Sequence, residues 1–318
     1  MSFLSRILKK QYSGFDSKSK RSIAIIGLDG AGKTTIINRL LKSEFNLVRP
    51  TFGINIEIYK YGSLEFIVYD IGGQTPLRES LWNKFVASAD GIVFVFDSAD
   101  KKRFKLAVQE FYNTLTYNKK APLLFLANKI DLKEAVDFNK IRSLFNFNKL
   151  IREQRKCEFT QCSALTGEQL FESWDWLTHQ LLSKKEISSM NVKILGGYLY
   201  LSSGDMLEEF LCGTPKTQSK HFPLLKEGNY EIQRFIKQMK NYQKAETLLQ
   251  TGNKQLIIVK EDELILGLII QSDDPAARAI RILKNLHKKV AKKLANKEKI
   301  NFQEFIQSDY PIDIYLEE

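Results

Sequence analysis

Residues 27–35 read GLDGAGKTT. Four apolar residues, Ile23, Ala24, Ile25 and Ile26, lead into this stretch, and a helix-spaced set, Ile36, Ile37, Leu40 and Leu41, follows it. A strand before and a helix after are the context that the pattern G-x-x-x-x-G-K-[ST] needs. Gly27, Gly30 and Gly32 let successive backbone N–H groups and a helix N-terminus turn towards one anion. Lys33 adds a positive charge for outer phosphates, and the hydroxyl of Thr34 is a ligand type that Mg²⁺ accepts. The stretch predicts a phosphate-binding loop. It does not say which nucleotide is held.

The chain of 318 residues is long enough for one large or two ordinary domains, and 43% hydrophobic with 27% charged residues is a soluble, globular composition. No run approaches the roughly 20 apolar residues of a membrane-spanning helix, and Ser5, Arg6, Lys9 and Lys10 interrupt any secretory signal at the N-terminus. Cys157, Cys162 and Cys212 lack C-x-x-C spacing, which fits a reducing cytosol rather than a disulfide frame or zinc site. His179, His221 and His287 are scattered and read as surface or core residues. The net charge of +11 suggests an acidic partner, nucleic acid or an anionic membrane face. No zinc-finger, RRM or helix-turn-helix pattern accompanies it, so nucleic acid is the weaker of the two.

Residues 1–15, MSFLSRILKKQYSGF, place Phe3, Leu4, Ile7, Leu8, Tyr12 and Phe15 on one helical stripe, with Arg6, Lys9 and Lys10 to its sides. Such a helix suits a lipid interface, or packs on its own domain; Ser2 stands where N-myristoylation needs glycine. After a polar link, 16–22, and the phosphate loop, 54–62 and 63–70 alternate as a hairpin turning at Gly62. Helices at about 76–89 and 101–117 then alternate with buried strands at 91–97 and 122–129. A strand and loop at 158–164 and a helix carrying Leu170, Trp174, Leu177 and Leu181 close the unit. Uniformly apolar strands alternating with helices predict an α/β fold with a mostly parallel sheet, helices on both faces and the ligand at the strands' carboxyl ends. A linker at 183–190 separates residues 16–182 from a smaller α/β unit at 191–318. There 191–202 is strand-rich, a helix is expected at about 230–249, two strands follow, and a basic helix spans about 275–298. That helix sets Arg278, Arg281, Lys284, Lys288, Lys289, Lys292 and Lys293 against a buried face of Ile280, Leu283, Leu286, Val290 and Leu294. Its charged face is either solvated or meets anionic lipid or an acidic partner.

Four further stretches follow the loop in order: Thr51 in PTFG, DIGGQ at 70–74, NKID at 128–131 and CSALTG at 162–167. Together with the wording GLDxAGKTT, PTFGINIE, YDIGGQ, FDSAD and the Trp174–Leu177 segment, residues 1–182 resemble the Arf/Arl family of P-loop small GTPases. The resemblance implies GTP/GDP and Mg²⁺ as ligands, with Asp29, Gly30, Ala31, Gly32, Lys33, Thr34, Thr35, Thr51, Gly73, Asn128, Lys129, Asp131, Ser163 and Ala164 around the nucleotide. Asp131 has a carboxylate for the guanine N1–H and 2-amino group, which adenine cannot satisfy. Asn128 holds the base and the phosphate loop, the stem of Lys129 covers the base, and Ala164 offers its N–H to guanine O6. Thr34 and Thr51 ligate the metal directly and Asp70 through water. Gln74 is the catalytic residue, orienting the attacking water for slow hydrolysis that awaits an activating protein. Arg78 and Arg103 read as structural surface residues.

The resemblance further implies that the N-terminal helix packs on the GDP form and is released when the hairpin slides by two residues, which preserves strand facing. Membrane binding is then coupled to the γ-phosphate. The expected protein is a GTP-hydrolysing switch, cytoplasmic and peripheral on membranes in its GTP state, served by an exchange factor, an activating protein and effectors. A slowly or non-hydrolysing GTP-bound scaffold is the alternative. Ile54, Tyr69 and Phe85 stand at the positions the family uses for effectors. The unit at 191–318 lies outside the family pattern and is faintly similar to the longin or roadblock type, which implies dimerisation.

Overall fold

The computed structural model describes residues 21–41, 54–61, 64–73, 82–183, 194–211, 215–251, 254–271, 276–296 and 300–301. The stretch 1–15, Thr51, Gln74 and residues 184–190 of the linker lie outside them. The first unit runs β1 (Arg21–Ile26), α1 (Lys33–Leu41), β2 (Ile54–Tyr61), β3 (Leu64–Ile71), α2 (Asn83–Ser88), β4 (Gly91–Asp97), α3 (Phe104–Tyr117), β5 (Leu123–Asn128), α4 (Phe138–Leu144), α5 (Phe147–Arg152), β6 (Cys157–Gln161) and α6 (Leu170–Leu181). The strands form one sheet in the order β2-β3-β1-β4-β5-β6. Only the β2–β3 hairpin is antiparallel, in register from Ile54↔Ile71 to Tyr61↔Leu64.

Strand periodicity divides this sheet's side chains between two cores. Ala24, Ile26, Phe94, Phe96 and Phe125 join Phe85, Phe111, Phe145 and Phe147 on the face covered by α2 to α5. Ile23, Ile25, Val93, Val95, Leu124 and Leu126 join Ile36, Ile37 and Leu40 of α1 and Leu170, Trp174 and Leu177 of α6 on the other. Both faces are buried, so the strands read as apolar runs.

The second unit runs β7 (Ile194–Leu201), β8 (Met206–Leu211), α7 (Pro215–Gln238), β9 (Lys244–Thr251), β10 (Lys254–Glu261), β11 (Leu264–Gln271) and α8 (Ala276–Ala295). Its sheet is antiparallel throughout, in the order β8-β7-β11-β10-β9. The helix expected at 230–249 is therefore corrected. Helix α7 starts earlier and ends at Gln238, and Lys244–Thr251 is a strand. KAETLLQT has helix-forming residues, but all eight pair with β10, from Lys244↔Glu261 to Thr251↔Lys254, and tertiary pairing overrides local preference.

Ile280, Leu283, Leu286 and Val290 of α8 are all fully buried, at the three- and four-residue spacing of one helical stripe. They share a single apolar core with α1, α6, the first sheet and Ile257, Val259, Leu266 and Leu268 of the second. The other face of the second sheet packs Tyr198, Ile258 and Ile265 on Ile232, Phe235 and Ile236 of α7. The layers are thus α2–α5, first sheet, a shared layer of α1, α6 and α8, second sheet, and α7.

Two cations on the charged face of α8 pair with carboxylates within the chain. Arg281 Nη2 lies 2.6 Å from Asp175 Oδ2 of α6, and Lys284 Nζ lies 2.9 Å from Glu172 and 2.6 Å from Glu246 of β9.

Candidate nucleotide site

The loop between β1 and α1 is shaped by glycines that no other residue could replace. At Gly27 (φ +145°) an added Cβ would stand 2.2 Å from the carbonyl oxygen of Val95; at Gly32 (φ +96°) it would stand 2.3 Å from Asn128 Nδ2. Helix α1 begins at Lys33, so its N-terminus points into this loop. Lys33 is buried and its Nζ donates to the carbonyls of Gly27 (2.8 Å) and Leu28 (3.0 Å). Thr34 Oγ1 donates to Asp70 Oδ2 at 2.5 Å, and Asp70 is wholly buried at the end of β3. A hydroxyl and a carboxylate side by side are the hard oxygen donors Mg²⁺ prefers, so this pair fits that ion. Gly73 lies against the loop, where a Cβ would sit 2.2 Å from the backbone N of Asp29. The indole Nε1 of Trp82 donates to Gly72 O (3.2 Å) and fixes the turn that carries Gly73.

Asn128, at the end of β5, joins two loops. Its Nδ2 donates to Ala31 O (2.9 Å) in the phosphate loop and its Oδ1 accepts from the backbone N–H of Ala164 (2.9 Å). The residue is 1% exposed, so both bonds are shielded from water. The Ala164 N–H, which the resemblance assigns to guanine O6, donates to Asn128 Oδ1 in this structure. Ser163 Oγ donates to Asp131 Oδ1 (2.5 Å) and accepts from Thr166 N–H (3.1 Å). Lys129, at φ +70°, directs its Nζ to Asp97 Oδ2 (2.7 Å). Asp29, Gly30, Lys33, Thr34, Asp70, Gly73, Asn128, Lys129, Asp131, Ser163 and Ala164 thus gather at the carboxyl ends of β1, β3, β5 and β6.

Three residues at the site were not singled out as ligands from sequence. Asp97 closes the apolar run GIVFVFD and anchors both Lys129 and the N–H of Ala99 (3.0 Å). A lone carboxylate ending a buried strand was the available signal. Arg103 is a partly exposed residue with two ion pairs: Nη1 reaches Asp29 Oδ1 (3.0 Å) and Nε reaches Asp100 Oδ2 (2.5 Å). Partial burial opposes its charge, yet the bond to Asp100 and the negative charge of Asp29 hold its pKa above the ordinary arginine value. Glu246 approaches the loop from behind, and no motif marks it. Burial pushes its carboxyl up to about 7, against the pull of Lys284. Within the core, the rings of Tyr69 and Phe85 meet edge to face at 5.0 Å, so two of the three expected effector positions are adjacent.

The profile of the ADP-ribosylation factor family matches residues 4–181. ADP-ribosylation factor K of Dictyostelium discoideum is 35% identical over 185 residues, covering 58% of this chain and 95% of that protein. ADP-ribosylation factor F of the same organism is 36% identical over 170 residues, covering 52% and 88%. Among solved structures, the Arl6 BBS3 small GTPase of Trypanosoma brucei with the bound nucleotide analogue GppNp is 27% identical over 51% of this chain and 97% of its own, with a TM-score of 0.47. The mammalian SRP receptor is 24% identical over 50% and 99%, with a TM-score of 0.44.

Proposed function

The chain belongs to the ADP-ribosylation factor family of small GTPases, which bind guanine nucleotide and hydrolyse GTP, and from that premise we propose that it is a molecular switch whose GTP state is read at a membrane surface. The observation that carries the reading is the convergence on one loop of a half-buried Thr34–Asp70 pair and a buried Asn128 bridge. The first joins the phosphate loop to the end of the β2–β3 hairpin; the second joins it to the guanine-side loop. A ligand contacting all three would hold the hairpin in one register.

In this reading Asp131 accepts from the guanine N1–H and 2-amino group, and Lys129, fixed by Asp97, lies along the base. Lys33 exchanges its two carbonyl partners for phosphate oxygens, and Gly73 brings a backbone N–H to the γ-phosphate. Thr34 and Thr51 would hold Mg²⁺ directly and Asp70 through water, and the ion would supply positive charge that offsets that of the phosphates. Gln74 orients the attacking water. Among the described residues Arg103 is engaged with Asp29 and Asp100, so an arginine for the transition state comes from an activating protein. Among the described residues no helix is long and apolar enough to cross a membrane. We assign membrane contact to the amphipathic residues 1–15, released in the GTP state. To the second unit, at 191–318, we assign regulation of the switch or dimerisation.

Two measurements test this. Purified protein should prefer GTP and GDP over ATP by at least a hundredfold; equal binding of ATP would remove the guanine assignment. Liposome flotation should recover more protein loaded with a non-hydrolysable GTP analogue than with GDP, and deleting residues 1–15 should abolish the difference. Equal flotation in both states would sink the coupled switch.

A further inference from the structure

Strand β9 is an edge of the second sheet, and an edge presents backbone groups that require partners. In an antiparallel ladder the N–H and C=O of one residue point to the same side. At Glu246 both point away from β10 and into the first unit. The N–H donates to Thr166 O at 2.6 Å, and the carbonyl accepts from Arg39 Nη2 at 2.7 Å. Thr166 belongs to the loop whose Ser163 holds Asp131. Arg39 lies six residues along the helix that starts at Lys33. One residue of the second sheet therefore touches the supports of both ends of the nucleotide site.

The junction is built for close approach. Gly167 has φ +83°, and a Cβ there would stand 2.2 Å from the carbonyl oxygen of Glu246. Arg39, Thr166 and Glu246 are each at most 3% exposed. Arg39 Nε has no hydrogen-bond partner among the described residues, so the bond from Nη2 to Glu246 O and the nearby Glu246 carboxylate offset the burial of its guanidinium. The Glu246 carboxylate is held in turn by Lys284 from α8.

We propose that Arg39 and the main chain of Glu246 are positioning residues for nucleotide retention, the edge of the second sheet serving as the back wall of the guanine-side loop. The proposal rests on the reading of Asp131 and its loop as the guanine-facing elements. Its consequence is that the added domain sets how slowly nucleotide leaves. Loosening the junction frees the 163–167 loop and accelerates release without altering a group that touches the ligand.

The test measures release of a fluorescent GDP analogue from the full chain. Arg39→Gln should release it about tenfold faster than wild type at a temperature well below its melting point, and Arg39→Lys should recover most of the difference. Glu246→Pro removes the N–H that meets Thr166 O, a group that points away from the β10 ladder; it should exceed Glu246→Ala, which removes only the carboxylate. Hydrogen exchange of the 163–168 amides should rise in Arg39→Gln, a readout that needs no nucleotide. Release accelerated threefold or more together with faster exchange upholds the proposal. Less than threefold, or unchanged exchange in folded Arg39→Gln, overturns it even if Glu246→Pro does not fold. A wild-type chain that retains no guanine nucleotide defeats the functional reading, and the exchange measurement still judges the junction.

Discussion

Asn128 and Glu246 are two buried polar residues that each join loops around the same site, one from within the first sheet and one from the edge of the second. Asn128 does it with a neutral side chain that donates to Ala31 and accepts from Ala164. Glu246 does it with its main chain, while its carboxylate faces Lys284. The first solution costs no charge burial, because an amide carries donor and acceptor together. The second places an ionisable group in a shared apolar core, and burial holds that carboxyl near neutrality. The comparison implies that the Asn128 junction is insensitive to pH, whereas the Glu246 junction is not.

Breaking the first junction should have the largest effect. Asn128→Ala strands the Ala31 carbonyl and the Ala164 N–H, and two buried unsatisfied groups cost about 1–3 kcal/mol each. Affinity for GDP should fall at least a hundredfold in a fluorescence titration. A loss below tenfold would mean that the phosphate and guanine loops hold their places without this bridge. Asp131→Ala should reduce GDP affinity comparably and, unlike Asn128→Ala, erase the preference over ADP.

At the second junction, Lys284→Met leaves Glu246 buried without its cation, and breaking such a pair costs about 3 kcal/mol. Denaturant unfolding of the full chain should show this loss at pH 8 and a smaller one at pH 6, where the abandoned carboxyl takes up a proton. The wild-type slope has a definite sign. The folded Glu246 carboxyl binds its proton up to about pH 7, whereas an unfolded glutamate releases it near 4.5. Its contribution to stability is therefore full below about pH 4.5 and is lost as pH rises through about 7. Lys284, held above the ordinary lysine value, and Arg39, lowered only to about 10, face it and keep their charges across that window. Glu246→Gln should flatten the wild-type dependence between pH 5 and 7.5. An unchanged slope would assign the titration to another group.

The contrast also explains what could be read from sequence. The phosphate loop, NKID and the apolar strands are local patterns whose chemistry needs fixed residue types at fixed spacing. In the structure Thr34 lies beside Asp70, and Asn128 lies between its two loops. The stripe Ile280, Leu283, Leu286 and Val290 was legible for the same reason. Neither Arg39 nor Glu246 carries such a mark. Arg39 looks like a surface arginine in an amphipathic helix, and Glu246 acts through backbone atoms that every residue possesses. Their pairing spans 207 residues, and it depends on KAETLLQT forming a strand that its composition does not favour. Long-range backbone docking leaves no periodicity to detect.

Between these extremes lies Arg281, half-exposed but paired with fully buried Asp175 at 2.6 Å. Arg281→Ala should cost about 1 kcal/mol in the same unfolding assay, because water reaches the guanidinium and discounts the pair. The loss should shrink in high salt more than that of Lys284→Met, whose ammonium is largely shielded.

The smallest effect belongs to Arg103, whose pairs with Asp29 and Asp100 are partly open to solvent. Exposed ion pairs contribute at most about 1 kcal/mol, so Arg103→Ala should leave the unfolding midpoint almost unmoved. Its consequence should appear in ligand preference instead. Asp29 places a carboxylate beside the loop that receives the phosphates, and Arg103 draws that charge outward and offsets it. Without Arg103 the carboxylate should repel the more highly charged triphosphate more than the diphosphate, lowering the GTP-to-GDP affinity ratio by about threefold. The same substitution in an Asp29→Ala background should not change the ratio, because no carboxylate remains to be neutralised. If Arg103→Ala lowers the ratio equally in both backgrounds, Arg103 acts on the phosphates directly, and its contact with Asp29 is incidental.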